Sequence, residues 1–381
     1  MTVVAKRLHT VEEYYFSQKL KAVSTLISKG APVINLGIGS PDLPPHPSVI
    51  EALKTSLLDP SAHKYQSYQG LPELRDAISN FYKNNYDVSL NPENEILPLM
   101  GSKEGIMHIS MAYLNQGDAV LIPNPGYPTY SAVAKLLGAV PVYYDLNKAQ
   151  DWQPDIAKLQ SKDLSKVKLM WVNYPHMPTG TTGDKERIQS LIKFATKHNI
   201  LLVNDNPYSF ILNNQPKSIL NFKGAKACCL ELNSLSKSFN MAGWRVGMLC
   251  GATYHIQNVL KVKSNMDSGM FYGIQKGAIA ALNVSKQWFD NLNAVYEKRR
   301  LLVWKLATQL GCTYDKNSSG MFVWAKLPNS CNSEQFIDDL LEQKHIFIAP
   351  GTIFGSNGAG FVRFSLCADE SAIKEAIKRT A

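Results

Sequence analysis

The stretch Ser234 to Gly247, SLSKSFNMAGWRVG, sets Lys237 in a serine-rich loop after an apolar run, Ala227 to Leu232, with Arg245 following between Trp244 and Val246. An amine attacks a carbonyl only when deprotonated, so a nucleophilic lysine is served by a loop at the edge of a buried sheet and by fixed positive charge nearby. Arg245 supplies such charge, directly or through a phosphate that it holds. Taken alone, a Ser-Lys-Ser segment is most often a solvated turn. Other residues of matching chemistry decide between the two readings.

Those residues stand where other apolar runs end. Gly101-Ser102-Lys103 lies between a strand-like run and a helical stretch, a place where free backbone N–H groups and the helix dipole bind phosphate. Ser234, Ser236 and Arg245 add hydroxyls and a charge. Tyr127, in Asn-Pro-Gly-Tyr-Pro, offers a ring for stacking. Asp205, at a strand end, offers a carboxylate that holds a ring nitrogen protonated, and Tyr208 just beyond it donates to an oxygen beside that ring. Singly, each has an ordinary reading: Tyr127 packs, Asp205 caps a turn, Gly101 opens a helix. Together they describe a site for a phosphorylated aromatic cofactor.

The elements that must position them follow from the apolar pattern. Between about residues 95 and 250, short apolar runs alternate with helical stretches, which is the signature of a mostly parallel sheet wound with helices. Ile96 to Met100, Ala119 to Ile122, Lys168 to Val172, Ile200 to Val203 and Ala227 to Leu232 read as strands. Ligands of such sheets bind beyond the carboxyl ends of the strands, so these exits are expected to converge on one crevice. Upstream, Val11 to Ser28 reads as a helix, Val33 to Leu36 as an extended run into Gly37-Ile-Gly-Ser-Pro-Asp, Ser48 to Leu58 as a helix and His63 to Gly70 as an aromatic-rich loop. Downstream come one long helix from about Gly273 to Leu310, strands at Gly320 to Ala325, Ile346 to Ala349 and Phe361 to Leu366, and helices at Ser333 to Gln343 and from about Asp369. The expected division is an N-terminal segment, 1–47, packing with a small domain; a large cofactor-binding domain, 48–272; and a small α+β domain with its connecting helix, 273–381.

Composition narrows the function classes. At 381 residues, 45% hydrophobic and 19% charged, the chain can bury a large interior. Its formal charge of +9 comes from scattered lysines and not from basic blocks interleaved with aromatics, so a pocket for small anions is expected and nucleic acid is not. No apolar stretch reaches the ~18 to 20 residues of a membrane span, and MTVVAKRLHT lacks a signal-like core. The six cysteines lack metal-ligand spacing and read as reduced core residues, so the protein is expected to be cytoplasmic, with no metal.

In order and spacing, Tyr65-x-x-x-x-Gly70-Leu-Pro-Glu-Leu-Arg, Gly101-Ser-Lys, Tyr127, Pro178-Thr-Gly, Asp205-x-x-Tyr208, Ser234-x-x-Lys237, Arg245 and Arg363 resemble the pyridoxal-phosphate enzymes of fold type I, in the aspartate aminotransferase family. The resemblance covers nearly the whole chain. It implies the α/β fold of those transferases, a large domain with a mostly parallel sheet flanked by helices plus a smaller α+β domain. It implies that Lys237 bonds pyridoxal 5′-phosphate and moves a proton between substrate Cα and cofactor C4′, while Asp205 pairs with the ring nitrogen. Tyr208 would donate to the phenolic oxygen, Tyr127 stack on the ring, and Gly101, Ser102, Lys103, Ser234 and Arg245 hold the phosphate. Arg363 and the backbone of Gly39 would take the substrate carboxylate. Tyr65 would reach the neighbouring subunit's phosphate, which implies a homodimer with shared active sites.

The implied reaction is ping-pong transfer of an amino group from an L-amino acid to a 2-oxo acid through pyridoxamine phosphate. A β-eliminating carbon–sulfur lyase shares the motifs, and a non-catalytic binding module is a further alternative. The stretches NLGIGSPDLPPHP and KYQSYQG resemble the L,L-diaminopimelate aminotransferase branch, with Tyr14, Tyr15, Lys103 and Ser268 as candidate wall residues. One position departs: relatives read Asn-Pro-Thr-Gly where this chain has Met177-Pro-Thr-Gly, and methionine donates no hydrogen bond. Tyr208 is then the main donor to the phenolic oxygen, helped by His176 or Asn173. The bound cofactor is expected to lose its proton at higher pH than in relatives, which a spectroscopic titration against Met177→Asn reads out.

Overall fold

A computed structural model describes residues 2–13, 15–328 and 331–381. Its centre is a seven-stranded sheet built from β2 (Ile96–Leu99), β3 (Ala119–Asn124), β4 (Val140–Asp145), β5 (Val167–Val172), β6 (Leu201–Asp205), β7 (Cys229–Ser234) and β8 (Gly247–Gly251), preceded in the chain by a short β1 (Ile34–Asn35). The order across the sheet is β2-β8-β7-β6-β5-β3-β4. Only β8 runs antiparallel, against β2 on one side and β7 on the other. The near-continuous burial of β5 to β8 is that of strands covered on both faces.

The helices of the N-terminal half are α1 (Tyr15–Ser28), α2 (Pro47–Ser56), α3 (Pro72–Tyr86), α4 (Ser102–Tyr113), α5 (Pro128–Leu136), α6 (Ile156–Gln160) and α7 (Lys185–His198). Then follow α8 (Thr253–Lys263), α9 (Tyr272–Leu282) and α10 (Lys286–Gln309). The expected helix from Val11 begins only at α1, and the single long helix expected from Gly273 is two, interrupted at Asn283-Val284-Ser285.

A second, antiparallel sheet has the order β12-β13-β10-β9, with β9 at Thr313–Tyr314, β10 at Phe322–Lys326, β12 at Ala349–Pro350 and β13 at Phe361–Ser365. Packed with it are α11 (Ser333–Lys344) and α12 (Glu370–Arg379). The N-terminal β1 pairs parallel with β11 (Ile346–Phe347), and the Ser365 N–H donates to the Leu36 carbonyl, 2.7 Å away. The run Gly37 to Gly39 therefore lies beside Arg363 of β13. Arg299 of α10 locks the same turn through two hydrogen bonds to Asp42, 2.7 and 2.8 Å. Among the described residues no helix is long and apolar enough to cross a membrane.

Candidate active site

The exits of β2, β3, β5, β6 and β7 open into one cavity of about 700 Å³, lined by Ser102, Tyr127, Asn173, Asp205 and Lys237 among others. The strand order explains the convergence. Gly247, at the start of β8, pairs with both Leu99 of β2 and Ser234 of β7, so Arg245 just upstream is wedged between the Gly101 turn and the lysine loop.

On the cavity floor Asp205 is 5% exposed at the end of β6. The Tyr130 hydroxyl donates to its Oδ2 at 2.8 Å, while Oδ1 is buried with no hydrogen-bond partner. Burial pushes this carboxyl up to about 7, against the Tyr130 hydrogen bond and the Lys237 charge. The half-buried Lys237 donates to the Gly39 carbonyl at 2.5 Å. Burial holds its amine below the usual lysine range, with Arg363 and Arg245 acting in the same direction and Cys367 and Asp205 against it. A lysine so placed is biased toward the neutral, nucleophilic form. Tyr127 is half-buried, its ring edge-on to Tyr130 at 5.5 Å and 87°. Tyr208 is buried against Phe322, and that burial raises its phenol well above the ordinary range, so it stays a neutral donor.

At the β2–α4 junction Gly101 has φ +88°, and no side chain caps the helix N-terminus. An α-helix N-terminus without a side-chain cap is a place where an anion can bind. A Cβ on Gly101 would collide with the Arg245 guanidinium. The junction is itself held, because the Glu104 carboxylate accepts the Met100 N–H at 2.5 Å. Arg245 is exposed, in a left-handed conformation at φ +55°, donating to Ala242 O at 3.0 Å and 3.5 Å from Ser236 Oγ. Ser234 Oγ lies 2.8 Å from Ser236 Oγ. Hydroxyls and a guanidinium thus meet at one uncapped helix terminus.

Arg363 is buried on the cavity wall, its Nη2 donating to Gly37 O at 2.7 Å. Its guanidinium lies 4.0 Å from the Phe322 ring centroid and 4.8 Å from that of Phe354. Nη1 is 3.4 Å from Met177 Sδ, so the thioether faces this arginine. Of the two expected helpers for the missing asparagine, Asn173 lines the cavity and His176 does not. Asn173 Nδ2, which carries two N–H donors, gives one to the Asp205 carbonyl at 2.5 Å, and its Oδ1 accepts the Met177 N–H at 2.7 Å. His176 is buried off the cavity wall, its Nδ1 2.8 Å from Thr179 Oγ1.

Of the other sequence-derived candidates, Tyr65 is 91% exposed and away from its own chain's cavity. Tyr15 packs on Phe16 behind the wall, Ser268 is exposed, and Tyr14 lies outside the described residues. Phe16, Ser17 and Leu20 of α1 line the cavity instead. Sequence reasoning also missed Tyr130, although its place one helical turn past Tyr127 is a signal that could have found it. All six cysteines are free; four are buried, while Cys331 is exposed and Cys367 half-buried, so these two are not core residues.

The donor set fits a phosphorylated pyridine: an orphaned buried carboxylate oxygen suits a ring N–H, and an uncapped helix terminus with a guanidinium suits a phosphate. Comparison with known proteins agrees. The family described as aminotransferase class I and II matches residues 31–379. An LL-diaminopimelate aminotransferase of Halothermothrix orenii is 38% identical over 377 residues, covering 98% of this chain and 97% of its own. One from Aquifex aeolicus is 36% identical over 375 residues, covering 98% of this chain and 97% of its own. The substrate-bound structure of BacF from Bacillus subtilis superimposes with a TM-score of 0.95 at 35% identity, covering 100% of this chain and 97% of that one. A Thermus thermophilus aspartate aminotransferase double mutant gives 0.92 at 25% identity, covering 100% of this chain and 99% of that one.

Proposed function

The chain belongs to the class I and II aminotransferases, which work with pyridoxal 5′-phosphate, and from that premise we propose that its amino donor and its 2-oxo acid acceptor each carry a second carboxylate, as L,L-diaminopimelate does. The observation that carries this reading is the charge lining the cavity. Among the described residues the ionic side chains there are Asp205, Lys237, Arg245, Arg363 and Lys103. The first four have work at the cofactor and the α-carboxylate. The lining thus carries four cations against one carboxylate, a balance that suits a substrate with two carboxylates; Lys103 is the cation we assign to the distal one, and because both half-reactions use one pocket, donor and acceptor both meet it.

In this reading the bound cofactor supplies an aldehyde to hold the substrate nitrogen and a ring that draws electrons from the substrate Cα. The chain's residues do the rest. Lys237 Nζ would take the proton from the substrate Cα and return it two bonds away, beyond the substrate nitrogen. Asp205 Oδ1 accepts the ring N–H, Tyr208 donates to the phenolic oxygen, Tyr127 covers the ring, and Arg245, Ser234 and the α4 amides of Ser102 and Lys103 anchor the phosphate. Arg363 grips the α-carboxylate with its fork and, with Gly39, draws residues 1–47 and 273–381 over the domain 48–272 to exclude water. The exposed Tyr65 reaches the phosphate of a second copy in a homodimer. Six free cysteines accord with a reducing, cytoplasmic setting.

The test is a comparison of L,L-diaminopimelate with lysine, which differs by the distal carboxylate, each with 2-oxoglutarate as acceptor and glutamate as the measured product. The expected preference in kcat/KM is at least about tenfold, collapsing in Lys103→Ala. Equal turnover of the two amino acids overturns the reading. Pyruvate and ammonia released from cystathionine without any 2-oxo acid would favour the lyase instead.

A further inference from the structure

Tyr130 stands in the first turn of α5, 1% exposed, its ring stacked on that of Trp171 in β5 with centroids 4.8 Å apart and planes 4° from parallel. Trp171 is itself fully buried, and Tyr127 meets Tyr130 edge-on from the cavity side. A ring held on both sides has one direction in which to present its hydroxyl, and here that direction ends on Asp205 Oδ2 at 2.8 Å. The other oxygen of the same carboxylate, Oδ1, is buried without a partner on a residue that lines the cavity.

We propose that Tyr130 is the positioning residue of Asp205: by donating to Oδ2 it fixes the plane of the carboxylate and leaves Oδ1 as the acceptor for the cofactor ring N–H. The proposal concerns the cofactor and holds whichever amino acid is the substrate. A buried carboxylate and a pyridine nitrogen compete for one proton. A donor on the far oxygen favours the charged carboxylate, so the proton stays on the ring nitrogen, where it makes the ring an electron sink. The groups facing Asp205 are Tyr130 from α5, Lys237 from the loop after β7, and Tyr208 and Tyr127 from the cavity wall. Of these, Tyr130 is the one hydrogen-bonded to the carboxylate.

Tyr130→Phe removes the hydroxyl and keeps the stack on Trp171. With 15N-labelled cofactor, the ring-nitrogen resonance is expected to move toward that of an unprotonated pyridine. The dissociation constant of the cofactor from the apoprotein should rise about tenfold, and kcat should fall about ten- to a hundredfold with KM for the amino acid within about twofold. In an Asp205→Asn background the same substitution should change kcat by less than about twofold, because the hydroxyl acts through the carboxylate. An unmoved ring-nitrogen resonance, or an equal loss in both backgrounds, overturns the proposal; the second result would assign Tyr130 to packing alone.

Discussion

Asp205 sits where folding leaves a carboxylate worse off than the unfolded chain does, which makes stability depend on pH in a specific direction. Burial pushes it up to about 7 from an ordinary value of 3.8, so the folded apoprotein holds a proton that the unfolded chain gives up. Its contribution is therefore fully present below about pH 4 and is lost as pH rises through about 7. Asp205→Asn cannot ionise, so the apoprotein variant should match the wild type near pH 4 and become the more stable of the two by pH 8, by up to roughly 4 kcal/mol. Urea unfolding of both apoproteins across that range measures it, and a gap that does not change with pH refutes it. Asp205, Lys237 and Arg363, each with an ordinary reading when taken singly, stood out in the sequence through their order and spacing together, and the fold brings all three to one cavity. Tyr130 was marked only by its place one turn past Tyr127; the hydrogen bond to the end of β6 on which its role rests is not recorded by that local signal. Met177 was visible as a departure, but that its sulfur faces Arg363 follows only from bringing β13 and the segment after β5 together.

At the scale of elements, the strands whose exits carry the site were readable from their apolar runs. The two strands of the seven-stranded sheet that were missed have physical reasons for it. β4, Val-Pro-Val-Tyr-Tyr-Asp, is the sheet edge, half exposed and bearing a proline, so it lacks the continuous apolar run of a central strand. β8 is short and bounded by Gly247 and Gly251, which read as turn residues, although it is the strand that sets Arg245 against the Gly101 turn. The break between α9 and α10 was invisible because apolar periodicity continues across it, and the Ser285 cap makes no side-chain hydrogen bond. The β2–α4 junction yields the prediction at this scale. Gly101 needs φ +88°, and any Cβ there meets Arg245, so Gly101→Ala both strains the turn and displaces the guanidinium from the anion site. Cofactor affinity should weaken at least about tenfold while the far-ultraviolet circular dichroism of the apoprotein stays as in the wild type. Unchanged affinity would show that the phosphate does not use this junction.

For the molecule as a whole, the apolar side chains that remain outside are more telling than the charge of +9. Tyr65 at 91% exposure and Tyr68 at 44% flank one loop, and Met266 and Phe271 are exposed near the end of α8 and the start of α9. An open groove of about 500 Å³ adjoins them, lined by Tyr68, Gln69, Gln257, Leu260, Lys261 and Ser264. Exposed apolar groups beside a groove are the kind of surface that another protein covers, and the proposed homodimer would account for the distance of Tyr65 from its own cavity. If Tyr65 serves the neighbouring site, two defective subunits repair each other in one arrangement only. A subunit carrying Tyr65→Ala keeps Lys237 and can borrow a tyrosine from a partner carrying Lys237→Ala. A hybrid dimer, isolated through a different affinity tag on each subunit, then holds one complete site of its two and should show about half the wild-type activity, whereas each parent homodimer is strongly impaired. If Tyr65 served its own chain, no site in the hybrid would have both residues, and the hybrid would be as impaired as its parents.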